Sequence, residues 1–243
     1  MKQVDLLITK NEKVGKDIYR MRLEGDTSCI TKPGQFINIE LPGHYLRRPI
    51  SVSDYDLTHI DILFKVLGQG TKDMTSFEVG KKINCLIGLG NGFDTEGVTN
   101  PTIIVGGIGV APAIGLAKKF NKEGIKPLII YGARSKDDVV LIDELKNYGE
   151  LKIATDDGSL GFHGNVVDFI KSENIEIGTY FACGPFRMLE SLVKSFKNDG
   201  FVSLEARMGC GFGACMGCSI KTTNGPKRVC KEGPVFKANE VIF

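Results

Sequence analysis

The stretch that decides the fold is residues 102–112, TIIVGGIGVAP, where an apolar run leads into spaced glycines and a proline. The apolar run predicts a buried strand, and Pro112 suits the first turn of a helix because its missing N–H needs no partner there. A glycine turn between such a strand and helix lets backbone amides approach a phosphate. The pattern here is G-x-G-x-x-P and departs from the full G-x-G-x-x-G fingerprint, so an ordinary strand-to-helix turn remains an alternative.

Downstream of this turn, apolar runs recur at residues 128–131, 151–154, 180–183 and 201–204, separated by helical patterns. One helix is indicated by Ala113, Leu116 and Phe120 on a single face, and a second by a stripe from Met188 to Phe196. Strands that alternate with helices predict a parallel sheet. Ligands of such sheets bind at the carboxyl ends of the strands, where residues 155–158 and 183–185 lie.

Upstream, residues 1–98 read as β-rich. The segments QFINIEL (35–41) and IDILFKV (60–66) alternate apolar and polar residues, and glycines separate them, which predicts a small antiparallel barrel. Within it, RRPISVS (47–53) places an arginine beside a serine on an extended path, a pair that can bind pyrophosphate and offer a hydroxyl. A solvated edge strand is the alternative. Thr71 is predicted to cap a short helix over 72–77 whose amides could hold phosphate, or simply to cap a turn.

The tail, residues 206–243, is rich in glycine and cysteine and shows little periodicity. Three of its cysteines follow the spacing C-x4-C-x2-C, and a fourth comes eleven residues later. This spacing is typical of plant-type [2Fe–2S] sites, whereas zinc sites usually use two short knuckles. A zinc site on the same thiolates remains the alternative. The four are Cys210, Cys215, Cys218 and Cys230, whereas Cys29, Cys85 and Cys183 read by default as small buried residues.

Composition narrows the class of protein. The 243 residues are 42% hydrophobic and 25% charged, with 31 basic and 29 acidic side chains, so the net charge is +2. This near balance argues against a nucleic-acid partner. No apolar run reaches the ~18–20 residues of a membrane span, and we expect a cytoplasmic protein. His44, His59 and His163 are isolated in the sequence and read as structural or surface residues.

Taken in order, the chain carries R-P-x-S, G-x-G-T, G-N-G-F, G-G-x-G-x-A-P, C-G-P and C-x4-C-x2-C…C. This series resembles the ferredoxin-reductase superfamily and, within it, the electron-transfer subunits of B-type dihydroorotate dehydrogenases. The most specific segments are EARMGC (205–210) and EGPVF (232–236). The resemblance implies a FAD-binding β-barrel over 1–98, a NAD-binding parallel α/β domain over 99–205 and a [2Fe–2S] module over 206–243.

The resemblance also implies site residues. No acid–base catalytic residue is needed, because cofactors carry out hydride and electron transfer. The tail cysteines would hold the cluster. FAD would be bound by Arg48, Pro49, Ile50, Ser51, Leu63, Phe64, Lys65, Gly70 and Thr71. The nicotinamide dinucleotide would be bound by Gly106, Gly107, Gly109, Cys183, Gly184 and Pro185.

The implied activity is a relay. Electrons from an FMN-containing, dihydroorotate-oxidising partner subunit would pass through [2Fe–2S] and FAD to NAD⁺, in a heterotetramer with two subunits of each kind. Alternatives are the FAD/[2Fe–2S] reductase subunit of a sulfide or ferredoxin:NADP enzyme, and a non-enzymatic redox-sensing or zinc-organised module. Arg134 and Lys136 would favour NADP, whereas Asp137 and Asp138 would oppose its 2′-phosphate. The family resemblance favours NAD, and the loop near residues 208–216 is the expected docking face.

Overall fold

The first part of the chain forms a closed antiparallel barrel. A computed structural model describes residues Met1–Phe243, all of the sequence. The strand order is β1-β2-β5-β4-β3-β6, and pairing of β6 with β1 closes the barrel, so no strand edge is left free. Residues 35–41 and 60–66 form strands of the barrel as predicted, but the expected alternation of buried and exposed side chains is wrong there: the strand Phe36–Ile39 is buried throughout, and only the end residues of His59–Lys65 are partly exposed. Buried polar residues such as Asn38 and Asp61 produce the alternating sequence without an exposed face. Every second side chain is buried in Lys82–Leu89 instead. The elements are β1 (Lys2–Gly15), β2 (Ile18–Glu24), β3 (Phe36–Ile39), β4 (Arg48–Tyr55), β5 (His59–Lys65), α1 (Gln69–Met74) and β6 (Lys82–Leu89).

The second part is a parallel sheet with helices. β7, the strand predicted from the deciding stretch, lies inside the sheet between β8 and β11, and all six of its residues are buried. The chain reverses its direction of winding at β7, which is where open α/β sheets bind ligands. The elements are β7 (Pro101–Gly106), α2 (Ala111–Lys122), β8 (Leu128–Ala133), α3 (Ile142–Tyr148), β9 (Glu150–Thr155), β10 (Phe162–His163), α4 (Val166–Ser172), β11 (Thr179–Cys183), α5 (Phe186–Ser195) and β12 (Gly200–Ser203).

The tail packs against both preceding parts. It contains β13 (Ser219–Ile220), paired with β14 (Lys227–Arg228), and then β15 (Val235–Lys237). β15 pairs antiparallel with β12 and becomes the outermost strand of the large sheet. The predicted fold class, a barrel followed by a parallel α/β domain and a small C-terminal module, is confirmed. The antiparallel edge strand was not predicted, because three residues carry no readable periodicity.

The prediction for the short helix near Thr71 is wrong in detail. α1 begins at Gln69, and Thr71 is its third residue rather than its cap. The Thr71 hydroxyl accepts the N–H groups of Leu67 and Gly68 at 3.0 and 3.3 Å, so it fastens the helix entry from inside the first turn. Glycine is a poor helix former, and Gly70 therefore hid the true start of the helix. α5, predicted from the stripe between Met188 and Phe196, ends at Ser195, because Phe196 is already extended.

Charged side chains tie the barrel to the α/β domain. Arg20 of β2 contacts Glu144 of α3 at 2.9 Å, and Lys118 of α2 pairs with Asp54 of β4. Asp61, which is fully buried, accepts hydrogen bonds from both Arg20 and Arg22. Asp54, His59 and Asp61 are close enough to suggest a cation site. The neighbouring guanidinium and ammonium groups already neutralise these carboxylates, so we interpret them as an ion-pair network.

None of the helices combines the length and the apolar character that crossing a lipid bilayer requires.

The ion-pair network predicts the effect of replacing Asp61. Removing the buried charge by Asp61→Asn leaves Arg20 and Arg22 without their shared anion, and we expect the free energy of unfolding to fall by about 3 kcal/mol. Chemical denaturation measures this change. Asp26→Asn, which breaks a surface pair with Lys2, is the matched control and is expected to have a much smaller effect.

The stability difference between the wild type and Asp61→Asn should also depend on pH. Burial opposes ionisation of Asp61, but Arg22 and Arg20 outweigh burial and hold its pKa below the usual range. The stability contributed by Asp61 is therefore complete above the ordinary carboxyl pKa and is lost as pH falls through the lowered folded-state value. The wild type and Asp61→Asn should converge in stability only in strong acid. A gap that is already closed at pH 5 would contradict this account.

Candidate functional site

A cleft runs between the barrel and the α/β domain, with an enclosed volume of about 250 Å³. Its walls come from β4 and β5 on one side and from the start of α2, the end of β11 and the beginning of the tail on the other. Apolar walls with a guanidinium, an ammonium and a hydroxyl fit a flat aromatic ring system that carries phosphate groups. The sequence-predicted residues that line the cleft are Arg48, Pro49, Ile50, Ser51, Leu63, Phe64, Lys65, Thr71 and Cys183.

The Arg48 guanidinium has a specific support. It lies directly over Gly70, where an added Cβ would be 2.4 Å from Arg48 Nε, so only glycine leaves room for it. Arg48 Nη2 contacts His44 Nδ1 at 3.0 Å, and His44 Nε2 contacts Asp73 at 2.7 Å. The structural role expected for His44 takes the form of this network of side chains. Asp73 lies 29 residues further along the chain, and no local pattern in the sequence connects the two.

The glycines after β7 divide into two kinds. An added Cβ at Gly106 would be 2.6 Å from Met188 Sδ, and one at Gly109 would be 2.3 Å from the carbonyl oxygen of Cys183. These two glycines are required by packing of the chain against itself. Gly107 has a φ of +53° and no neighbour within 4 Å of its Cβ position. Among Gly106, Gly107 and Gly109, Gly107 is therefore the glycine whose backbone faces open space.

The far wall of the cleft carries a thiol and a carboxyl. Cys183 is buried, and burial, assisted by the charge of Glu205, raises the pKa of its thiol to about 12. Cys183 is therefore neutral at physiological pH. Glu205 lines the cleft. Partial removal of its carboxyl group from water by the surrounding protein raises the pKa of that group. Glu205 was quoted only as part of a family segment, and its place in the cleft is a finding of the structure.

The loop after β8 carries the charges that we expected to choose between NAD and NADP. The carboxylate of Asp138 is bound to Lys65 of β5 at 2.9 Å. This ion pair lowers the pKa of Asp138 and joins the cleft wall to the α/β domain. Lys65 therefore already balances part of the charge of Asp138, and the expectation that Asp137 and Asp138 oppose a 2′-phosphate stays a prediction.

The four tail cysteines form one electrostatic group. Burial opposes ionisation of Cys210, but N–H groups of Cys215, Phe212 and Ala214 donate to its sulfur and lower its pKa to about 6. Burial and the neighbouring Cys218 and Cys210 raise the pKa of Cys230 to about 12. All four thiols can therefore be thiolates together only if a cation compensates their charge.

Backbone N–H groups fix two of the four sulfurs. The N–H groups of Ala214 and Cys215 donate to Cys210 Sγ at 3.2 and 3.4 Å, and the N–H of Cys230 donates to Cys218 Sγ at 3.4 Å. The one group of three potential ligands whose atoms lie within 4.8 Å of one another is elsewhere, so no three of these sulfurs are that close. Two sulfurs on one zinc ion, each at about 2.3 Å, can be at most about 4.6 Å apart. A single zinc ion would therefore need these sulfurs closer together, whereas two iron ions divide the four ligands between them.

Two asparagines that sequence reasoning missed hold the tail in place. Asn38 of β3 is 1% exposed, lies opposite Pro49 in the pairing with β4, and donates its Nδ2 to the Cys210 carbonyl at 3.2 Å. Asn91, in the G-N-G-F segment, donates to the Val235 carbonyl at 2.7 Å and accepts its N–H at 3.1 Å. The cysteine loop is therefore held against β3, the strand paired with the one that carries the R-P-x-S motif.

This anchoring predicts the effect of Asn38→Leu, which keeps the side-chain size but removes the donor. We expect the tail module to lose its metal several-fold faster on exposure to air, while the barrel stays folded. Iron per chain and visible absorbance over time measure the loss. Asn11→Leu is the control, since Asn11 also donates to backbone carbonyls and leaves its Oδ1 unpartnered, but at α1 rather than the cysteine loop. Equal loss rates in the two variants would contradict the anchoring role.

Comparison with known proteins agrees with this geometry. The model of the iron–sulfur cluster binding domain of dihydroorotate dehydrogenase B matches residues 205–242. A dihydroorotate dehydrogenase B (NAD⁺) electron transfer subunit from Fusobacterium nucleatum is 42% identical, with 99% of each chain covered. The corresponding subunit from Listeria monocytogenes is 36% identical, also with 99% of each chain covered.

Solved structures include a close match in fold. The structure of an NADH-dependent reduced ferredoxin-NADP oxidoreductase is 28% identical, with a TM-score of 0.89, and the match covers 98% of this chain and 89% of that one. The resemblance inferred from the sequence motifs is thereby confirmed. Both the full-length identity and the matched tail lead to one assignment: the chain belongs to the family of electron transfer subunits of dihydroorotate dehydrogenase B (NAD⁺).

Proposed function

We propose that this chain relays electrons from dihydroorotate oxidation, carried out by a separate FMN-containing subunit, through a [2Fe–2S] cluster and FAD to NAD⁺. The observation that carries the proposal is the continuity of the two sites. Met208 lines the cleft, and Cys210, the first cluster cysteine, follows two residues later on a loop that is hydrogen-bonded to Asn38 of β3, the strand paired with the R-P-x-S strand. A flavin in the cleft and a cluster on the loop are therefore neighbours.

The chain contributes binding and orientation. When bound, flavin, nicotinamide and cluster supply the hydride and single-electron chemistry. Arg48 offers positive charge to the flavin phosphates, and Ser51 offers a hydroxyl to a polar ring edge. The neutral thiol of Cys183 closes the nicotinamide side of the cleft without placing a charge there. Gly107 leaves its backbone open to the dinucleotide, and the four cysteine sulfurs hold the iron.

The exposed surface of the cysteine loop is the proposed docking site for the partner. Phe212 and Met216 are exposed apolar side chains on the cysteine loop, at the end of the relay that is away from NAD⁺. We infer that the FMN subunit docks there and that the assembly contains two subunits of each kind. A reducing cytoplasm suits thiolates that hold iron. Similarity to the ferredoxin-NADP enzyme would support a different reductase partner. The dihydroorotate dehydrogenase subunits, however, are more similar in sequence to this chain.

An anaerobic titration with NADH tests the relay. We expect flavin bands and a broad iron–sulfur absorbance in the purified protein, and we expect NADH to bleach both. In Cys230→Ser the cluster should be lost, because one of its four ligands is removed, while NADH still bleaches the flavin. Cys29→Ser, which changes a half-buried cysteine outside the tail, should behave like wild type.

The outcomes separate the alternatives. A colourless protein that contains zinc would overturn the relay and support a zinc-organised module. Bleaching by NADH, with no NAD⁺ reduction when the FMN subunit and dihydroorotate are added, would leave the reductase role intact and reject this partner.

A further inference from the structure

We propose that His44, held by Asp73, is a positioning residue that aims the Arg48 guanidinium at the phosphate groups of the bound flavin and releases it when protonated. The inference rests on the proposed function, because it takes the cleft to be the flavin site. It adds a pH-sensitive support that neither the motif nor the family match contains. Its basis is a chain of three side chains from three separate segments.

The geometry assigns one tautomer to His44. Arg48 Nη2 lies 3.0 Å from His44 Nδ1, and a guanidinium can only donate, so Nδ1 must accept. Nε2 then carries the proton and donates it to Asp73 Oδ2 at 2.7 Å. The Asp73 carboxylate thus selects the neutral tautomer that Arg48 needs. A carboxylate that orients an imidazole in this way is a common supporting arrangement in binding sites.

Few other contacts restrain Arg48. Besides His44, its guanidinium donates to the Leu46 carbonyl, and it lies over the space that Gly70 leaves free. Leu46 is exposed, in the same loop as His44, so this bond is weakly anchored. Without His44, the long side chain can rotate towards solvent. Pre-organisation by His44 lowers the entropy that phosphate binding must remove.

Protonation of His44 turns its attraction for the Arg48 guanidinium into repulsion. Once Nδ1 carries a proton it can no longer accept from Arg48, and two cations then face each other. Asp73 of α1 is the anion that contacts His44, Lys72 lies beside it in the same helix, and Gln69 is a neutral partner of Asp73. Lys65 and Glu205 line the same cleft as Arg48. Asp73 attracts protonated His44 and keeps it in place, so the repulsion acts on Arg48. Flavin affinity should therefore fall as the medium becomes acidic.

The experiment measures the dissociation constant for FAD by fluorescence, on the full chain, between pH 8 and pH 5.5. We expect His44→Ala to weaken binding about tenfold at pH 8, as loss of a hydrogen bond to a charged group does. His44→Gln should restore much of the affinity, since its amide can accept from Arg48 and donate to Asp73, but it cannot titrate. We expect its affinity to be nearly independent of pH, whereas wild-type affinity falls in acid.

Two further variants complete the test. Asp73→Asn should weaken binding less than His44→Ala, because an amide oxygen can still accept from Nε2. His163→Gln, at an exposed histidine in β10, is the matched control and should follow wild type at every pH. Thermal unfolding of each variant separates loss of affinity from loss of fold, and His44→Gln provides the test if His44→Ala does not fold.

The outcomes are distinct. Wild-type affinity that is unchanged across this pH range, or His44→Ala and His44→Gln that bind FAD as wild type does, would overturn the role of His44 and leave the proposed function intact. Wild-type protein that binds no flavin at any pH would overturn both.

Discussion

The hydrogen bond from Asn38 Nδ2 to the Cys210 carbonyl determines where the cysteine loop lies relative to the barrel. Asn38 is buried in β3, and its strand neighbour Pro49 belongs to the motif that faces the cleft. The loop therefore cannot move without disturbing the strand that supports the flavin site. The unpartnered Oδ1 of Asn38 is a cost of this placement, since a buried polar atom without a partner destabilises the fold. The Asn91 contacts with Val235 add a second fixed point on the other side of the tail.

The cleft depends on a different set of contacts, which are charged. Arg20 with Glu144, Lys118 with Asp54, and Lys65 with Asp138 all join the barrel to the α/β domain. Lys65 also lines the cleft, so one ion pair belongs both to the domain interface and to the candidate flavin site. Because these pairs hold the barrel and the α/β domain side by side, the width of the cleft follows from the interface. Binding in the cleft and contact between the two units are thereby physically connected.

The four tail thiols show why this segment needs a metal. Backbone N–H groups stabilise a thiolate at Cys210, whereas burial and neighbouring sulfurs disfavour one at Cys230. A short, glycine-rich segment buries little apolar surface, and its own regular structure is limited to short strands and one 3₁₀ turn over Ala238–Glu240. Iron ions that compensate the thiolate charge would supply the missing stabilisation. The same ions would then serve both folding of the tail and passage of electrons.

The sequence by itself determined the order of the three parts, the five longer strands of the parallel sheet, two strands of the barrel, helices α2 and α5, and the cysteine group. These features are local: strand and helix periodicities repeat within a few residues, and three of the four cysteines share one loop. Only the tertiary structure decided that His44 supports Arg48, that Asp138 binds Lys65, and that Asn38 anchors Cys210. Asn38 and Cys210 are 172 positions apart in the sequence, and β15 joins the sheet through only three residues. Contacts of this kind form when distant segments pack together, and they leave no periodic pattern in the sequence.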